Sequence, residues 1–303
     1  MKNQTAQIWL IAVTSFYLFM KLTPSIPQPQ MYHDFADKRE LFGIPNALNV
    51  ISNFPFMVIG LIGLMLCHRR NYFNFSVQGE LWGWTCFYAA VTSVGFGSSY
   101  YHLGPNDNGL VCDRLPMTVA FASLVAILII ERIDANKGTI SIFPLIMTAM
   151  ISRLFMIMPE VRFFGDIRPY LLVQTVSCIA IPLMAFFLPP MYTHSTYWLW
   201  AAGFYPLAML QETADRLIYT ATFHTVSGHT LKHLSAGMVP LILTIMLAKR
   251  RLLHVLVIVS PIFSSKICLM RTGTDIPGLR SKKAADLNVQ FWRVSVMSSL
   301  LSL

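Results

Sequence analysis

Seven apolar windows recur along this chain, each about long enough to cross a bilayer as a helix. They lie at roughly 47–67, 80–102, 113–131, 139–158, 169–188, 196–218 and 229–248. A helix rises about 1.5 Å per residue, so a hydrocarbon core of ~30 Å needs roughly 20 predominantly apolar residues. Inside lipid the backbone cannot hand its N–H and C=O groups to water, so spanning segments fold as helices or as a closed barrel. Windows of this length are helical, since a barrel strand needs only about 9–11 residues. Composition agrees: the chain is 55% hydrophobic and 12% charged, against about 25% charged in soluble domains. The expected fold is all-α, a polytopic membrane protein with a seven-transmembrane helix bundle. An apolar run at residues 8–20 adds an N-terminal hydrophobic segment.

The same reading divides the chain. Residues 1–24 form an N-terminal signal anchor or signal peptide, broken by Thr23-Pro24-Ser25-Ile26-Pro27. No small-x-small cleavage site follows, which favours the anchor. Residues 25–46 are a polar segment, 47–250 the membrane domain, and 251–303 a basic tail expected to be poorly ordered. The run 252–263 is too short to span and contains Pro261. The net charge is +9. On a membrane protein such an excess marks the cytoplasmic face and anionic headgroups. No basic patch is interleaved with aromatics, so nucleic acid is not an expected partner. The five cysteines include no CxxC pair, and no disulfide framework is expected. Trp82, Trp84, Trp198 and Trp200, near span starts, are expected to form an interfacial belt.

Against this apolar background the ionisable residues stand out, because an ionisable group within a span is a functional-site hypothesis by default. His102 ends the second span, Asp113 opens the third, and His229 opens the seventh. Counting crossings puts all three on one membrane face. His233 lies one turn below His229, since residues i and i+4 stack, and Ser98 lies one turn before His102. Three histidines and a water are a common open zinc site, so the set reads as an intramembrane metallohydrolase centre. Each residue also has a plainer reading. Asp113 suits the N-cap of a helix beginning at Leu115-Pro116. Ser98, beside Gly95, Gly97 and Ser99, suits close helix packing. Glu212, Asp215 and Arg216 end the sixth span on the histidine face, either as a self-neutralising cluster or as contacts to substrate hydroxyls. Arg153, inside an apolar window, either snorkels or pairs with an acid such as Asp215. His224 lies off the helical face of His229, and His33, His68, His194 and His254 are assigned no role. Arg69, Arg70, Arg132, Lys137 and Lys249 to Arg251 fall on the opposite face, against Arg114, Arg162 and Arg168 on the histidine face together with Asp107, Glu160 and Asp166, a bias that orients the histidines away from the cytosol.

The spaced set Ser98-x3-His102, Asp113 and His229-x3-His233 resembles the alkaline ceramidases. These belong to a wider superfamily of seven-helix membrane hydrolases that includes adiponectin-type receptors. The resemblance covers about residues 31–250. It implies zinc on His102, His229 and His233, Asp113 as the base that takes a proton from the attacking water, and Ser98 as a hydroxyl stabilising the oxyanion. It also implies a calcium site before the first core helix, which Asp34, Asp37 and Asn46 match in part, with Asn49 beyond. The chain departs from that pattern: Arg39 stands where an oxygen ligand is expected, Asn46 stands where Glu is preferred, and the segment is about two residues short.

An amide resists neutral water, whereas zinc can lower the pKa of bound water to about 7 and polarise a carbonyl. A nearby carboxylate can then move protons. The expected activity is zinc-dependent cleavage of the amide of ceramide, or of a related N-acyl sphingolipid, to a fatty acid and a sphingoid base. The expected partner is a membrane lipid. The resemblance points to the endoplasmic reticulum or Golgi membrane. A lipid-remodelling esterase or phospholipase on the same fold, and a non-enzymatic zinc-containing receptor, are the alternatives. A transporter fits less well, because the histidines cluster near one surface and no pair of broken helices is evident.

Overall fold

The computed structural model describes residues 14–70, 72–154 and 166–252. Among them are no strand and nine α-helices that lie wholly within the described residues: α1 (Ala47–Ile51), α2 (Phe54–His68), α3 (Gln78–Leu103), α4 (Asp107–Arg132), α5 (Ala135–Leu154), α6 (Arg168–Phe187), α7 (Tyr197–Thr213), α8 (Asp215–Ala221) and α9 (Gly228–Lys249). Taking α1 and α2 as one, seven long helices stand where the seven windows were read. Four of these segments are long and apolar enough to cross a membrane: Ala47–His68, Asp107–Arg132, Arg168–Phe187 and Gly228–Lys249. The chain is a polytopic helical membrane protein. Residues 14–22, within the first apolar run, are also helical.

The first window breaks between α1 and α2. Ser52 Oγ and Asn53 Nδ2 both donate to the Asn49 carbonyl, at 3.1 and 2.8 Å, and such side chains compete with the backbone ladder. Pro55, in the first turn of α2, is tolerated because the N–H it lacks has no partner there anyway. The sixth window likewise divides at Ala214 into α7 and α8.

The third helix starts six residues earlier than its apolar window. Asn106 is its N-cap and accepts a hydrogen bond from Gly109 N at 2.8 Å. Asp113 therefore lies in the body of α4, and the capping role is corrected in favour of Asn106. The helix continues through Pro116.

The expected tryptophan belt is also corrected. Trp84 and Trp198 are fully buried and meet with ring centroids 5.9 Å apart, among Phe87, Tyr88, Leu243 and Leu247. Trp82 and Trp200 are exposed. Residues two apart on a helix point to nearly opposite faces, so each pair puts one ring in the core and one outside. This cluster joins α3, α4, α7 and α9 in the middle of the bundle.

At one end of the bundle a buried charge group closes the fold. Arg250 donates to Glu131 Oε1 at 2.5 Å and to Glu80 Oε2 at 3.2 Å, and its guanidinium lies 3.9 Å from the Tyr192 ring centroid. Tyr192 donates to Glu80 at 2.7 Å. This ties the start of α3, the end of α4 and the end of α9. At the other end of these same helices stand His102 and His229, beneath a strap formed by residues 30–46. The expectations for residues 1–13, for the tail beyond Leu252 and for the Arg153 side chain fall outside the described residues.

Candidate metal centre

His102 comes from the last turn of α3, and His229 and His233 from the first two turns of α9. The α9 start is fixed by Ser227, whose hydroxyl accepts from Thr230 N at 3.1 Å. A second anchor is Asp215: its Oδ1 accepts from His229 N at 2.7 Å and its Oδ2 from Ala36 N at 2.9 Å. These bonds bind helix, strap and linker around the first histidine. At Gly228 a Cβ would overlap the Gln211 carbonyl and Asp215, so only glycine permits this approach of α9 to the α7–α8 corner.

The three imidazoles are buried, and their candidate donor atoms lie within 4.8 Å of one another. Their ring centroids are 4.8 to 5.0 Å apart. His102 Nε2 and His229 Nε2 face each other at 3.3 Å. A tetrahedral ion with Zn–N distances of ~2.0–2.1 Å spaces its ligand nitrogens by about 3.3–3.4 Å, so the His102–His229 pair has the spacing that such an ion needs. The outward nitrogens also suit the role. His233 Nδ1 meets Ser52 Oγ at 2.8 Å, and His229 Nδ1 faces Glu212 Oε1 at 3.8 Å. Metal-binding histidines commonly hold their second nitrogen by a hydrogen bond such as that of His233 to Ser52, which fixes tautomer and ring orientation. His102 Nδ1 is buried without a hydrogen-bond partner among the described residues. Asn46 Nδ2 donates to the His102 carbonyl at 2.9 Å. Phe35, from the strap, lies 4.7 Å from both the His102 and His229 rings and covers the group. This buried three-histidine group can hold a metal ion, and its chemistry is compatible with zinc.

Ser98, Asp113 and His233 line one cavity of about 830 Å³. Most of its wall is apolar, with Phe56, Phe87, Phe121, Leu124, Trp198 and Leu243 among the lining residues. Gly97, next to Ser98, lets α3 approach α4 closely: a Cβ there would overlap the Cys112 carbonyl. The packing reading of this stretch and the position of Ser98 on the cavity wall therefore hold together. A side cavity of about 480 Å³ shares Asp113, Lys232 and Tyr205 with the first, and adds Tyr32, Arg114, Tyr170 and Glu212.

The remaining acidic residues take other places. Asp215 is engaged by the backbone N–H groups of His229 and Ala36 and lines neither cavity. Arg216 instead pairs with Asp34, which Lys38 also contacts. Asp37 is taken on both oxygens by Arg39, at 2.9 and 2.8 Å, and the same guanidinium donates to the Thr225 carbonyl at 2.7 Å. Asn46 uses its amide on His102. Asp34, Asp37 and the Asn46 amide N–H group thus each have other partners, and the geometry gives no support for calcium. Among the described residues the three histidines are the one cluster of metal-binding type found. Arg39 holds Asp37's carboxyl below its ordinary range: burial pushes it up, and the hydrogen bonds from Arg39 outweigh that.

Sequence reasoning passed over Lys232, Tyr32 and Ser52. Lys232 is buried, and its ammonium lies 2.5 Å from Glu212 Oε1, which also accepts from Tyr32 Oη at 2.8 Å. A lysine inside the His229-x3-His233 spacing of an apolar segment was itself a signal. Nothing in the sequence singles out Ser52 or Tyr32.

Fold and site together define a helical membrane protein with a buried histidine triad beside an apolar cavity. The Ceramidase family model matches residues 43–185, and the match supports assigning the chain to the ceramidase family. It takes in Ser98, His102 and Asp113 and ends before α9, so His229 and His233 join the set through the fold. No curated protein matches the chain.

Proposed function

We propose that this protein is a zinc-dependent hydrolase that cleaves the amide bond of ceramide or a related N-acyl sphingolipid within the membrane. The observation that carries the reading is that Asp113, Ser98 and His233 share the wall of a large apolar cavity, with His102 and His229 completing a metal-binding triad behind it. A cavity of this size falls within the usual range for ligand sites, about 300–1,000 Å³, and its apolar wall suits an acyl chain.

His102, His229 and His233 would hold the ion, with Ser52 orienting the His233 ring. When bound, zinc supplies Lewis acidity, lowering the pKa of water to about 7 and polarising a carbonyl oxygen. Asp113 accepts a proton from the attacking water and returns it to the leaving nitrogen, the usual task of a positioned carboxylate. Ser98 donates to the carbonyl oxygen as negative charge develops there. The apolar wall excludes bulk water and strengthens both interactions. The calcium expected from the resemblance takes no part in this reading. The endoplasmic reticulum or Golgi membrane is the proposed location, on the family reading alone, and fluorescent tagging tests it.

The test is release of fatty acid from ceramide by purified protein in detergent, read by mass spectrometry beside His229→Ala. Release by the parent and none by the variant is the expected result. Comparison with an O-acyl lipid of equal chain length decides between amide and ester as the preferred bond. No release from either lipid, with zinc bound and the fold intact, overturns the hydrolase reading.

A further inference from the structure

Lys232 and Glu212 form a buried ion pair where the two cavities meet. Lys232 lines both cavities, whereas Glu212 lines only the side cavity. Lys232 is the only Lys or Arg among the residues lining the main cavity. The pair joins α9 to α7, but it is a costly way to do so. Removing two charges from water carries a desolvation penalty that an apolar pair of similar size avoids. Arg114, the other cation of the side cavity, is held elsewhere: its guanidinium lies 4.1 Å from the Tyr32 ring centroid and 5.3 Å from that of Tyr170, and it donates to Gln28 Oε1 at 2.9 Å.

The chemistry proposed above creates a matching demand. In amide hydrolysis the C–N bond breaks and a C–O bond forms to the oxygen of water. Both protons of that water end on nitrogen, so a neutral lipid becomes a carboxylate and an ammonium. Two opposite charges then appear inside an apolar site, where each needs a counter-charge.

We propose that Lys232 and Glu212 exchange partners as the amide is split, Lys232 taking the fatty-acid carboxylate at the main cavity and Glu212 the long-chain ammonium at the side cavity. This rests on the amide-hydrolase reading. The exchange is neutral throughout: one ion pair becomes two, and no charge is left without a partner. The position of Lys232 suits it, because the residue directly precedes His233 and shares with Asp113 the wall between the cavities. Tyr32 Oη keeps Glu212 in place when Lys232 turns away.

Product binding tests this without turnover. Full-length protein in detergent is titrated with a long-chain fatty acid and, separately, with a long-chain primary amine, and the melting temperature is followed. Lys232→Met is expected to weaken the fatty-acid response at least about tenfold, the size of one charged hydrogen bond, and to keep the amine response. Glu212→Gln is expected to do the reverse. If both variants lose both responses equally, or neither loses any, the exchange is overturned. Should a single variant fail to fold, the double variant Lys232→Met/Glu212→Met retains an apolar buried pair. Its loss of both responses supports the exchange, and undiminished binding of both products overturns it. Ceramide turnover by the parent reports on the hydrolase reading alone. Its absence sinks that reading, while opposite losses in the two variants still support charge-specific binding.

Discussion

Ser52 Oγ lies 2.8 Å from His233 Nδ1, and the break between α1 and α2 is what brings it there. Because the hydroxyl also donates to the Asn49 carbonyl, it is left to accept from the imidazole. His233 is thereby fixed with Nδ1 protonated and Nε2 free to ligate. Ser52→Ala is expected to weaken zinc binding by about 10- to 100-fold, the usual effect of removing such an outer partner. The variant should keep its fold, since the change removes one small buried group. Competition with a zinc chelator of known affinity measures the effect, and unchanged affinity would show that His233 is oriented without Ser52.

Asp113 and Ser98 separate binding from turnover. Asp113→Asn is nearly isosteric and leaves the three histidines untouched, so zinc content should stay at parent level. Turnover is expected to fall by roughly 10²–10⁴-fold, the usual contribution of a positioned acid–base group. Ser98→Ala removes one oxyanion donor and is expected to cost about 10²–10³-fold in kcat. Zinc content beside fatty-acid release distinguishes these from a loss of metal. An Asp113→Asn protein with full activity would exclude Asp113 as the base.

The helices and the convergence of the triad were legible because they rest on periodicity and parity. An apolar window reports its length, and an even number of crossings returns His229 to the side of His102. What escaped was set by atoms beyond the windows. Capping was open as the plainer reading of Asp113 because Leu115-Pro116 looks like a helix start, yet Asn106 supplies the cap and the helix runs through Pro116. Trp84 and Trp82 read alike by position, and only the packing of α3 against α7 decides which of them enters the core. Lys232 was visible as a charge within an apolar span, but its partner Glu212 lies on another helix, and no local spacing relates them.

Arg39 stands in the strap where the resemblance called for an oxygen ligand. Its guanidinium already neutralises Asp37 and joins the strap to the loop before α9. A calcium-selective chelator is therefore expected to leave the melting temperature and the activity unchanged. Arg39→Ala strands the carboxylate of buried Asp37, a loss of about 1–3 kcal/mol for an unsatisfied buried group. At roughly 2–4 °C per kcal/mol, that is readily seen by differential scanning fluorimetry. A drop in melting temperature on calcium removal from the parent would show that a calcium site exists after all.

Asp166 makes the junction between the N-terminal segment and α6 sensitive to acid. Its carboxylate pairs with Arg168 and accepts from Ile26 N at 3.3 Å. Arg168 in turn donates to the Thr23 carbonyl at 2.6 Å. Burial pushes the Asp166 carboxyl up, but the hydrogen bonds from Arg168 and Ile26 outweigh it, and the net shift is downward. A group whose folded pKa is depressed contributes stability above its unfolded value, about 3.9 for Asp. That contribution is lost as pH falls through the lower folded value. Stability should therefore be insensitive to Asp166 above about pH 5 and decline below about pH 4. Asp166→Asn should flatten its share of the decline while lowering stability at neutral pH. Thermal melts of parent and variant across that range measure both effects. Parallel curves would show that Asp166 does not couple the N-terminal segment to the bundle.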